Sequence, residues 1–141
     1  FIEMHDEHII KNALPYPYVI KTLKKLYEIK VLMAIATNKR QAPTIKLINY
    51  FGWQDYFISI ECSDGQNSTR NKDEMIQDIL NNNVKFNKAL FIGDTVNDGL
   101  CANLNKMPFI KAQYGYGRDQ DWSKVNVKQD IQHFSEILQF I

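Results

Sequence analysis

The chain has 141 residues, 45% of them hydrophobic, and 17 Lys+Arg against 16 Asp+Glu give it a formal net charge of +1. That is one domain's worth of chain, able to bury a core, and its balanced, interspersed charge argues against nucleic acid or an anionic membrane as the main partner. No apolar run approaches the roughly 20 residues of a membrane span, no signal peptide is visible in these residues, and two cysteines outside any Cys-x-x-Cys pair suit a reducing, cytoplasmic setting.

In chain order, the spacing of Ile2, Ile9, Ile10, Ala13 and Leu14 predicts a helix over 2–14. Pro15 and Pro17 punctuate the chain before a second helix over 18–28, with Val19, Leu23 and Leu26 inward. Val31-Leu32-Met33-Ala34-Ile35-Ala36 is a continuous apolar run, as in a strand buried on both faces, and it ends in Thr37-Asn38. A threonine hydroxyl and the backbone N–H groups beyond it can donate to phosphate oxygens without adding charge. The plainer reading is an ordinary strand-to-helix turn. Pro43 suits the first turn of a helix running to Phe51, and Gly52 suits its C-terminal cap. A short strand over 57–61 follows, then a polar loop over 62–71 whose Gly65, Asn67, Ser68 and Thr69 predict mobility.

Lys72 precedes a helix over 73–82 with Met75, Ile76, Ile79 and Leu80 at helical spacing. A lysine in a first turn opposes the helix dipole unless an anion answers it; a transferring phosphoryl group is such an anion. Asn81-Asn82-Asn83 ends that helix, since asparagine tolerates the left-handed conformation. Ala89-Leu90-Phe91-Ile92 is a second buried-strand run, and Gly93-Asp94-Thr95-Val96-Asn97-Asp98 follows it with two carboxylates four residues apart. Asp94 then lies just past the strand's carboxyl end, where open α/β sheets bind ligands. Mg²⁺ takes one or two carboxylates from protein, a role Asp94 fits; the plainer alternative is that Asp94 and Asp98 cap a helix. The helix from about residue 98 carries Leu100, Cys101 and Leu104 and ends at Asn105, capped as a glycine would cap it. Cys101 reads as a small buried apolar residue. A strand from Phe109, a short strand over 125–127 and an amphipathic helix over 131–141 complete the chain. Strands alternating with helices predict a doubly wound α/β domain with a parallel sheet. His5, His8 and His133 are scattered at the two ends of the chain, which argues against a metal role for any of them.

In order and spacing, these segments resemble the haloacid dehalogenase-like hydrolase superfamily and, within it, the phosphoglycolate phosphatase-like branch. Thr37-Asn38 resembles the family's second motif, Lys72 the third and Gly93 through Asp98 the fourth; Phe109 through Gly117 is similar to the last core strand and its glycine-aromatic loop. The resemblance implies a Rossmann-like core over 18–141 and, over 1–17, the remnant of a helical cap with its crossover. It further implies an Mg²⁺-dependent phosphomonoesterase of a small phosphorylated metabolite, passing through a phospho-aspartate. Thr37 with the Asn38 backbone becomes the phosphate cradle and Lys72 the charge neutraliser. Asp94 becomes a metal ligand, and Asp98 an outer metal ligand or lysine partner.

The family's first motif, an apolar strand followed by Asp-x-Asp-Gly-Thr, has no match here. Asp6, among His5, Glu7 and His8, has no apolar strand before it, and Asp64-Gly65-Gln66 lacks the second aspartate. A chain opening on Phe1 is therefore expected to be the C-terminal part of a longer enzyme, inactive alone. Loss of a central strand strands backbone donors and acceptors, which predicts dimerisation or strand swapping in a true fragment. Two other readings remain: an inactive scaffold used for binding or assembly, and a phosphomutase or dehalogenase. Dehalogenases need no Mg²⁺, so Asp94 and Asp98 speak against that branch.

Overall fold

The computed structural model describes residues 18–65, 69–82 and 88–141. The helix expected over 2–14, Asn83 and part of the polar loop lie outside these residues. Helix α1, Val19–Glu28, buries Val19, Thr22, Leu23 and Leu26, a three-to-four spacing that makes one inward stripe. Strand β1, Met33–Thr37, leads into α2, Gln41–Phe51, where Pro43 occupies the first turn. Gly52 ends α2 at φ 72°, the left-handed cap expected of it. Strand β2 is Phe57–Cys62, α3 is Lys72–Asn82, β3 is Phe91–Gly93 and α4 is Val96–Leu104. Strands β4, Phe109–Ala112, and β5, Gln129–Ile131, precede a terminal 3₁₀ helix, Phe134–Phe140.

Among the described residues every strand pair is parallel: β1 with β2, and β3, β4 and β5 in that order. Side chains alternate across a strand, so neighbouring residues serve opposite faces. Ile35 and Ile110 join a core with α1, Trp53 and the 3₁₀ helix, while their neighbours Ala36 and Phe109 join a second core with α3 and α4. Helices therefore cover both faces, which is the doubly wound α/β architecture.

Among the described residues no ladder joins β1 to β3. Between them lies an open cavity of about 770 Å³, walled by Ala34 and Ala36 of β1, Ile92 of β3, Leu23 of α1, Ile76 of α3 and Ile137. Its walls are strands β1 and β3 on two sides and helices on the other two.

Three expectations need correction. The strand expected at 125–127 is displaced to Gln129–Ile131: Val125 and Val127 pack on the core that contains α4, and the ladder starts only where the Lys128 N–H reaches the Phe109 carbonyl at 2.9 Å. The helix expected over 131–141 shortens to 3₁₀, because Ile131 belongs to β5 and Phe134, Ile137 and Phe140 recur every three residues, the 3₁₀ period. Asn105 does not take the left-handed cap; Lys106 does, at φ 57°, while the Asn105 side chain donates to the Cys101 carbonyl at 2.8 Å and to Asp73 at 2.6 Å.

Candidate active site

The turn from β3 into α4 is organised by Asp98. Its Oδ2 accepts from the Asp94 and Thr95 N–H groups, both at 3.1 Å, and Thr95 Oγ1 accepts from the Asp98 N–H at 3.2 Å. That reciprocal pair is a capping box, with Thr95 as N-cap, so α4 begins at Val96 rather than near residue 98. Gly93 makes the fold-back possible, since a Cβ there would overlap the Asp98 side chain. The other oxygen, Oδ1, accepts from Lys72 Nζ at 2.5 Å. Asp98 is 0% and Lys72 1% exposed, so this is a buried ion pair whose desolvation is offset by the two backbone donors and the amino end of α4.

Lys72 opens α3, and the anion that a first-turn lysine calls for is Asp98. Asn71 holds the start of that helix: its Oδ1 accepts from the Glu74 N–H at 2.8 Å, and Glu74 Oε1 accepts from the Asn71 N–H at 3.2 Å. Arg70, one residue earlier, folds back to donate to Glu61 at 2.7 Å, to Asp78 at 2.5 Å and to the Cys62 carbonyl at 3.1 Å. It clamps the end of β2 to α3. Sequence reading passed over Arg70 as loop. The one signal available was composition, since only three of the 17 basic residues are arginines, and the planar guanidinium is the group suited to two carboxylates at once.

Asp94 is buried at 5% exposure. Its Oδ2 accepts from the Tyr116 N–H at 2.8 Å and its carbonyl from the Gly117 N–H at 3.0 Å. Lys72, Asp98 and Asp94 thus form one hydrogen-bonded chain. Among the described residues no group of three or more His, Cys, Asp or Glu could hold a metal ion. A glycine backs Asp94 closely: a Cβ on Gly115 would overlap the carboxylate.

Thr37 ends β1 buried, its Oγ1 accepting from the Lys39 N–H at 3.2 Å, while Asn38 is exposed. Their turn is latched to the loop after β2: the Lys39 carbonyl accepts from the Ser63 N–H at 3.1 Å, and Asp64 accepts from the Gln41 N–H at 2.7 Å. The Gln41 N–H holds the Asp64 carboxyl below its usual range. Asp64 is thereby a helix cap for α2. Cys62 and Cys101 are buried and free, and burial pushes both thiols up. His133 packs edge-on to Tyr18 at 4.9 Å; His5, His8 and Asp6 lie outside the described residues. No helix among the described residues is long and apolar enough to cross a membrane.

Residues 1–112 match the family model described as haloacid dehalogenase-like hydrolase. The phosphoglycolate phosphatase of Psychrobacter arcticus is 30% identical over 145 residues, covering 100% of this chain and 62% of that protein. The phosphoglycolate phosphatase of Rhodobacter capsulatus is 33% identical over 115 residues, covering 82% and 52%. Among solved structures, a haloacid dehalogenase-like family hydrolase from Streptococcus pneumoniae superposes with a TM-score of 0.79 at 20% identity, covering 93% of this chain and 61% of that one. A HAD-superfamily hydrolase from Ehrlichia chaffeensis gives 0.71 at 25% identity, with 92% and 58% covered. The chain therefore spans about three fifths of the length of such relatives. With its parallel sheet, its buried Lys72–Asp98 pair and these likenesses together, the chain belongs to the haloacid dehalogenase-like hydrolases, in their phosphoglycolate phosphatase-like branch.

Proposed function

We propose that this chain is the C-terminal part of an Mg²⁺-dependent phosphomonoester hydrolase of small phosphorylated metabolites, working in a reducing, cytoplasmic setting through a phospho-aspartate. The hydrogen-bonded chain Lys72–Asp98–Asp94 carries the reading. It places a buried ammonium and a buried carboxylate at the carboxyl end of a parallel sheet, where a dianionic phosphoryl group and its counter-cation need them. Lys72 neutralises charge developing on the transferring phosphoryl group, and Asp98 keeps that ammonium in place. Both Asp98 oxygens are engaged by protein donors, so its part is that of the lysine's partner, with Asp94 as the ligand to the metal. Bound Mg²⁺ would supply positive charge shared between phosphate and carboxylates. Thr37 and the backbone from Asn38 would donate to the phosphate oxygens.

The nucleophilic aspartate would come from a strand seated between β1 and β3. A single inserted strand stands about 4.8 Å from each neighbour, and the cavity there has the apolar walls it would need. The relatives contain the additional length to supply it.

The test is phosphate release by the full-length protein from phosphoglycolate and other small phosphomonoesters, with Mg²⁺ and with a chelator. Mg²⁺-dependent release is expected, and Lys72→Ala and Asp94→Asn should each depress it on the order of a hundredfold or more, because each removes charge facing the transition state. Near-normal turnover in Asp94→Asn would show the metal to be elsewhere. Absence of release from every ester would sink the phosphatase.

A further inference from the structure

We propose that the loop Gly115-Tyr116-Gly117 is a backbone clasp that sets the affinity of Asp94 for its divalent cation; this rests on Asp94 being a metal ligand. Two hydrogen bonds from the loop, and a third through Gln120 just beyond it, tie this segment to the turn that carries Asp94. The Tyr116 N–H donates to Asp94 Oδ2 at 2.8 Å, the Gly117 N–H to the Asp94 carbonyl at 3.0 Å, and the Val96 N–H to Gln120 Oε1 at 2.8 Å. The holding group at Tyr116 is its amide, for the residue is 77% exposed.

The glycines report the same closeness. Neither Gly115 nor Gly117 has a positive φ; among the described glycines only Gly52 does. Backbone conformation therefore does not demand glycine here. Space does: a Cβ on Gly115 would overlap the Asp94 carboxylate, and one on Gly117 would overlap the Asp94 carbonyl. The loop is pressed against both ends of one residue. A neutral N–H on Oδ2 fixes the carboxylate's rotation without cancelling its charge, so the acid meets a cation already oriented. Outer partners of this kind typically change metal affinity by about 10–100-fold when lost.

Direct cation binding tests this without reference to turnover. Mn²⁺, a paramagnetic stand-in for Mg²⁺, is titrated into the full-length protein and the free ion counted by electron paramagnetic resonance. Gly115→Ala, which pushes on the carboxylate, and Tyr116→Pro, which deletes the amide donor, should each raise the Kd roughly tenfold or more. Tyr116→Ala keeps the amide and must lose less than the proline variant. If Gly115→Ala does not fold, the proline–alanine comparison alone decides. Parental affinity in the folded Gly115→Ala and Tyr116→Pro proteins, with Asp94→Asn unable to bind, would overturn the clasp and leave the metal site standing. Equal binding by Asp94→Asn and parent would overturn the metal assignment, and the clasp with it.

Discussion

At the scale of single residues, Lys72 and Asp98 are informative because burial makes each dependent on the other. Removing one partner of a buried pair leaves an uncompensated charge, which costs roughly 3–5 kcal/mol. Lys72→Met in the full-length protein should therefore lower stability by about that amount, read as a fall in the urea midpoint. Asp98→Asn added to it should recover much of the loss, since an asparagine oxygen can still accept from the Asp94 and Thr95 N–H groups and no charge remains buried. Turnover should stay lost in the double variant. Recovery of turnover along with stability would mean that Lys72 only holds the fold. The residues alone showed Lys72 as an oddity, a cation in a first turn; the family resemblance offered Asp98, 26 residues on, as metal ligand or lysine partner, and the fold makes it the partner.

Elements differ in how much of them local sequence contains. Strands β1 and β3 are legible as apolar runs because both faces of the sheet are covered, and α1 because its inward residues keep one period. Strand β5 was misplaced because Gln129 and Asp130 are exposed and only Ile131 faces the core, whereas Val125 and Val127 imitate a strand while packing as a loop. The union of β2 and α3 through Arg70 had no local signature, since its partners Glu61 and Asp78 lie 9 and 8 residues away. Arg70→Met should cost roughly 2–4 kcal/mol, somewhat under the fully buried case because the Asp78 side chain is 35% exposed and partly screened. A urea midpoint matching the parent would show the clamp to be ornamental. Asp78→Asn alone, removing the more hydrated carboxylate, should cost about 1 kcal/mol or less.

At the scale of the molecule, the two ladders and the cavity between them are one fact. A doubly wound sheet gains its stability by burying both faces of every inner strand. Among the described residues, the walls supplied by β1, β3, α1, α3 and the 3₁₀ helix bound an open cavity of about 770 Å³ lined mostly by apolar side chains. Apolar surface of that kind is a driving force for association, and strand-lined surface favours a strand as its occupant. Prepared alone, the 141-residue chain should therefore associate with itself as its concentration rises, seen by sedimentation, and bind a hydrophobic dye. The full-length protein should do neither. On the function proposed above, supplying the segment that carries the nucleophile strand as a separate chain should dissolve the association and restore Mg²⁺-dependent phosphate release. A 141-residue chain that stays monomeric and dye-silent would mean that the two ladders close on each other, leaving no place between β1 and β3 for a nucleophile strand.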